Sequence, residues 1–196
     1  MAISRTPHIH VVAEAPRAPL VPNGVMGMLI FVFTELMLFA GFISAFTIIK
    51  SGAVVWPPPG QPRLPFAETA FNTALLLLSG AALVWTRRVF TRDRERARKP
   101  LLAALALASA FVLLQGREWV AMLAQGLTLT SSSLGSFFYL VIGLHGLHVG
   151  VAIGLLARTY RRLRRGWLAS SQLATAEVFW YFVVGIWPVI YLVVYP

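Results

Sequence analysis

The polar side chains that interrupt the apolar stretches of this chain are the ones with chemical potential. Glu35 follows Thr34 in the first stretch, and Asn72 and Thr73 lie in the second. Gln115 and Glu118 lie in the third, His145 and His148 in the fourth, and Glu177 near the edge of the fifth. A charged side chain at the middle of a membrane helix costs about 2.5–3.5 kcal/mol on insertion scales, so such residues are kept for a reason. His145 and His148 are three apart and share a helix face, a spacing that permits a metal site with Glu35 or Glu118 as a third ligand. The donor set argues against that use. Both histidines sit on one helix, whereas a bis-histidine haem takes its axial ligands from two sides. The repeated Glu-x-x-His pairs of di-iron bundles are absent. No cysteine is present, which removes thiolate zinc, iron–sulfur and thiol chemistry. The expectation is therefore no catalytic residue and no metal in this chain. Hydrogen bonding from helix to helix is the competing use for Asn72, Thr73, Gln115 and Glu118.

These residues need a membrane to make sense. The chain has 196 residues, 58% apolar and 12% charged, against roughly 45–50% and about 25% in soluble domains. A span needs about 20 mainly apolar residues. Five windows qualify, at about 24–49, 66–90, 100–123, 134–157 and 173–195, and they predict an all-α, five-helix polytopic membrane domain over 24–196. Residues 1–23 carry several prolines and little periodicity and read as a flexible tail with no signal-peptide core. The first helix is expected to stay as an uncleaved anchor. The connectors have loop chemistry: prolines and Trp56 in 51–65, alternating charges in 91–99, three serines in 124–133, and five arginines in 158–171.

Basic residues set the orientation. Of the 17 Lys and Arg, fourteen fall in the tail, the second loop and the fourth loop, whereas only Lys50 and Arg63 fall in the other two loops. This asymmetry predicts a cytoplasmic N-terminus and an outside C-terminus. It also accounts for the net charge of +10 by anchoring to anionic lipid headgroups and not by binding nucleic acid. Only Lys50 and Lys99 are lysine; the bias to arginine points to a bacterial source and so to the inner membrane.

At about 1.5 Å per residue, Glu35 and His145 both fall near the midplane, and Glu118 nearer the outer side. Glu35 is expected inside the bundle, held by groups on neighbouring helices, with the histidines of the fourth helix as candidates. A polar cluster through the middle and outer half of the bundle follows. Gly146, Gly150 and Gly154 form a small-residue stripe that predicts close packing on a neighbour, in this chain or another. Pro188 interrupts the hydrogen bonding of the fifth helix at Val184.

Four runs resemble the third subunit of cytochrome c oxidase and related haem–copper oxidases. Gly27–Phe42 resembles the helix bearing that family's membrane-buried glutamate, at Glu35. Asn72-Thr73-Ala74 with Ser79-Gly80 and Trp85 is similar to its next helix. Leu114-Gln115 with Glu118-Trp119 is similar to its glutamine–glutamate motif. Gly143-Leu144-His145-Gly146-Leu147-His148-Val149 is the most specific match. The order is the family's and the helices are consecutive. The long form of the family has seven helices, of which this chain matches the last five. Tyr181 and Val184 stand where the family usually has His and Asp, so those roles are not carried over.

The resemblance implies a non-redox core subunit, without haem or copper of its own, in a bacterial terminal oxidase that reduces oxygen to water and translocates protons. It implies packing on a catalytic subunit I that carries haem and copper, support of that subunit's proton-uptake side, and room for bound phospholipid. Two alternatives remain at this point. One is the short accessory protein of a nitric oxide reductase system. The other is a small transporter or proton channel using Glu35, Glu118 and the histidines, although no internal repeat or broken helix pair supports it.

Overall fold

The computed structural model describes residues 21–56, 60, 62 and 64–195. The predicted tail therefore lies almost wholly outside the described residues. The architecture is five helices with no strand among the described residues: α1 (Asn23–Gly52), α2 (Phe66–Phe90), α3 (Arg98–Ala124), α4 (Ser133–Arg164) and α5 (Ser170–Val194). All five are long and apolar enough to cross a membrane. The outward-facing surface is lined by large apolar side chains such as Ile30, Phe33, Met37, Phe71, Leu113, Leu147 and Leu192. Such a surface suits hydrocarbon, where helices are viable because they satisfy their own backbone groups.

The packing follows from which faces are apolar all round. α5 is the central helix, in contact with α1, α2 and α4, and α3 packs on α2 and α4. Trp180, Val183, Trp187 and Ile190 of α5 are fully enclosed. α1 is peripheral; Phe39 and Phe46 are its only buried residues. Trp56, expected at the membrane interface, packs its ring against Phe46 at 5.6 Å between centroids. Pro188 lies inside α5, which continues through it.

One boundary differs from the sequence expectation. α4 runs to Arg164, not to about 157, so Arg158, Arg161, Arg162 and Arg164 are helical and not loop residues. Thirty-two residues make about 48 Å of helix, longer than the roughly 30 Å hydrocarbon core. Hydropathy reports the span, whereas helix length is set by capping. The last turns stay helical because Thr159 and Leu163 pack back on the bundle. The helix then stops at Gly166, where φ is +76°. The Trp167 amide bonds the Arg162 carbonyl at 3.0 Å and the Gly166 amide bonds Leu163 at 3.1 Å, which is a Schellman termination. α3 ends in the same way at Gly126, with φ +88°.

The α3–α4 turn is closely packed around Gly135. Ser132 caps α4, its hydroxyl accepting from the Gly135 amide at 3.1 Å. A Cβ on Gly135 would meet the Thr128 carbonyl oxygen at 2.2 Å, and backbone cannot rotate out of the way. Overpacking costs typically about 1–3 kcal/mol. Gly135→Ala is expected to lower the unfolding temperature of the purified chain in detergent, whereas Gly154→Ala, whose Cβ meets nothing within 4 Å, leaves it unchanged. Equal melting of both variants would refute this account of the turn.

Candidate functional site

The polar residues of the spans form two separate clusters, where one continuous cluster was expected. In the first, Glu118 on α3 faces the Thr69–Asn72–Thr73 face of α2. Asn72 donates to Glu118 Oε1 at 2.7 Å. Gln115, one turn before Glu118, donates to Oε2 at 3.0 Å. The Thr69 hydroxyl lies 2.8 Å from the same oxygen and 2.8 Å from the Pro65 carbonyl. Gln115 also donates to the Tyr195 hydroxyl at 3.0 Å, tying in the end of α5. Thr73 is one step further inside: its hydroxyl donates to Thr69 O at 2.7 Å and accepts from Trp187 Nε1 at 2.9 Å. The network thus joins α2, α3 and α5. Each donor removed would leave a buried lone pair open, at about 1–3 kcal/mol.

The second cluster is one pair. Glu35 on α1 meets His148 on α4, Oε2 to Nε2, at 3.0 Å. The other imidazole nitrogen fixes the proton count. His148 Nδ1 lies 2.8 Å from the Leu144 carbonyl, which can only accept, so Nδ1 carries hydrogen. In the neutral ring Nε2 is then an acceptor. The contact to Glu35 consequently needs one more proton, held either by the carboxyl or by the ring. In both forms the pair carries no net charge. Phe39, Phe179 and Phe182 surround the His148 ring at centroid distances of 5.6, 6.1 and 6.0 Å.

His145 joins neither cluster. Three residues subtend about 300° on a helix, leaving the two histidines about 60° apart. That offset turns His148 toward α1 and His145 toward α3 and α5. The His145 ring stacks on Trp187 at 4.9 Å between centroids and is 1% exposed. The glycine stripe is divided as well. Gly146 packs on Trp119, where a Cβ would come within 2.7 Å of the indole. Gly150 and Gly154 face outward with nothing within 4 Å of a Cβ position.

His148 has both nitrogens engaged, and His145 stacks on Trp187. No group of three His, Cys, Asp or Glu among the described residues is placed to hold a metal ion.

Several participants were not singled out in the sequence. Thr69 could have been found, because it shares the helical face of Asn72 and Thr73 at i, i+3 and i+4. Tyr195 and Trp187 read as general aromatic content and gave no separate signal. At the other end of the bundle, Glu177 pairs with Arg87 at 3.5 Å. The two residues lie at matching depth on α5 and α2, which is the clue the sequence offers, although Arg87 also counts among the basic residues that set the orientation.

The fold and its polar clusters define a polytopic helical membrane protein in which Asn72, Gln115, Glu118, Glu35 and His148 join one helix to another. The comparisons with known proteins narrow this class. A family model for cytochrome c oxidase subunit III matches residues 12–196. The cytochrome c oxidase subunit 3 of Pelomedusa subrufa is 30% identical over 193 residues, covering 93% of this chain and 73% of that protein. That of Pisaster ochraceus is 32% identical over 187 residues, covering 89% and 70%. That of Lumbricus terrestris is 30% identical over 179 residues, covering 86% and 68%. The chain belongs to the cytochrome c oxidase subunit III family, and so to a subunit of an oxidase complex.

If the Glu35–His148 contact holds α1 to α4, the two residues are energetically coupled. A double-mutant cycle of Glu35→Leu and His148→Leu is expected to give a coupling of about 0.5–3 kcal/mol in unfolding experiments. Additive losses would show that the two side chains act independently.

Proposed function

We propose that the chain is the non-redox core subunit of a bacterial haem–copper terminal oxidase. In this reading it sits in the inner membrane with its N-terminus in the cytoplasm and its C-terminus outside. It packs on the subunit that carries haem and copper and supports oxygen reduction coupled to proton translocation. The observation that carries the reading is the family match over residues 12–196. It is supported by the spending of Asn72, Thr73, Gln115, Glu118 and His148 on internal hydrogen bonds, which leaves the redox chemistry to partner subunits. The exposed Gly150 and Gly154 positions and the peripheral α1 offer close-approach surface for such subunits or for bound phospholipid.

Glu35 has a part in this role. By helix rise it falls near mid-membrane, and it meets His148 at 3.0 Å, so that a proton held between the two places no net charge in hydrocarbon. Proton handling on the uptake side of the partner is the use proposed for it. Glu35→Gln keeps a neutral, nearly isosteric group that can donate to His148 Nε2. The variant is expected to assemble normally and to show reduced turnover or pumping. Wild-type turnover and pumping would reduce Glu35 to a packing residue.

Purification in mild detergent, followed by mass spectrometry of the co-purifying chains, tests the assignment. An oxidase subunit I is expected. A nitric oxide reductase chain in its place, or a functional oligomer of this chain alone, would overturn the reading. The orientation has its own test, because the chain has no native cysteine. A cysteine at Ser132 is expected to react with an impermeant reagent from outside only; labelling solely from the cytoplasmic side would invert the topology.

A further inference from the structure

A cavity of about 160 Å³ lies between α3, α4 and α5. Its walls include Gln115, Gly116 and Trp119 from α3, Gly143 and His145 from α4, and Trp187 from α5. Gly116 and Gly143 contribute no side chain to it, and a Cβ at either would meet nothing within 4 Å. His145 is buried to within 1%, yet neither of its ring nitrogens has a hydrogen-bond partner among the described residues. Trp119, which also lines the cavity, has a buried Nε1 without a hydrogen-bond partner among the described residues. Gln115 Oε1 takes one long bond, 3.4 Å from Asn72, and keeps a lone pair.

We infer that this cavity is a hydration site, in which ordered water molecules bind His145 and Trp119 and link them to Gln115. The unpartnered atoms define the ligand. A neutral imidazole presents one donor and one acceptor, the indole presents a donor, and the amide oxygen an acceptor. A ligand must therefore accept and donate in the same small volume. Water does both, and an acyl chain does neither. The size agrees: at roughly 30 Å³ per molecule there is room for about five waters. The apolar parts of the wall do not oppose this, since a buried water needs only two to four polar partners.

The site has a consequence for the bundle. Gln115 already donates to Glu118, and His145 lies one turn before His148, the partner of Glu35. Water in the cavity extends the outer carboxyl network from Gln115 to His145, on the side of α4 away from the Glu35–His148 pair. This does not depend on the identity of the catalytic partner.

The test is a cryo-EM structure of the intact membrane complex, in a lipid nanodisc, at a resolution that shows ordered water. Discrete peaks are expected in the cavity, at least one of them within hydrogen-bond distance of a His145 nitrogen and of Gln115 Oε1. Continuous rod-shaped density from a lipid or detergent chain would overturn the proposal, as would a cavity without density. Gly116→Val takes up part of the space from α3 and is expected to displace the peaks nearest it. Gly143→Ala does so from α4 with a smaller change, should the valine variant fail to assemble. Peaks that persist unmoved in a folded filling variant would also overturn the assignment.

Discussion

Hydrocarbon supplies no hydrogen-bond partners, so a carboxyl placed within the membrane must find them in the protein. Glu118 and Glu35 meet that requirement in different ways. Glu118 collects donors from its own helix and from α2, and through Gln115 reaches the end of α5. Glu35 takes a single imidazole from a helix far away in sequence. The first solution needs α2, α3 and α5 in one register, because a shift of one residue would turn Asn72 or Gln115 away. The second needs α1 against α4, and it gives α1, otherwise mostly outward-facing, a specific polar point of attachment.

Apolar packing does the remaining work without specifying register so closely. α5 is buried on several sides and provides large aromatic surfaces, with Trp187 against Phe111 at 5.1 Å and against His145 at 4.9 Å. Lipid tails are as apolar as these side chains, so close packing and hydrogen bonds, not exclusion of water, hold the helices together. Trp187 combines both: its ring stacks on His145 while its Nε1 donates to Thr73. At the opposite end of the bundle the Arg87–Glu177 pair and the Arg94 contact with the Leu168 carbonyl fasten α2 and the loop after it to the start of α5.

The number and order of the helices are legible in the sequence because hydropathy reports membrane thickness directly. The end of α4 is not, since a helix continues past the hydrocarbon for as long as its backbone is capped and its apolar side chains, such as Leu163, find contacts. The polar residues are legible as a set, because each violates the lipid environment. Their division into two clusters is not, because it depends on how far the His145 and His148 rings diverge around α4 and on which helix lies opposite each. Thr69 shows the nearer limit: its i, i+3 and i+4 relation to Asn72 and Thr73 was readable. Tyr195 shows the farther one, since nothing local distinguishes an aromatic that closes a network from one that faces lipid. The glycine stripe makes the same point, with Gly146 packed under Trp119 and Gly150 and Gly154 open.

Asn72, Gln115, Glu118, Glu35 and His148 join helices, and the reading proposed for the chain leaves the redox centres to its partner subunits. The most direct measurement is the haem absorbance and copper content of the purified oxidase complex before and after this chain is selectively stripped from it. Both are predicted to stay constant per catalytic subunit, with turnover or its persistence changed. Loss of haem or copper in proportion to the chain removed would contradict the account.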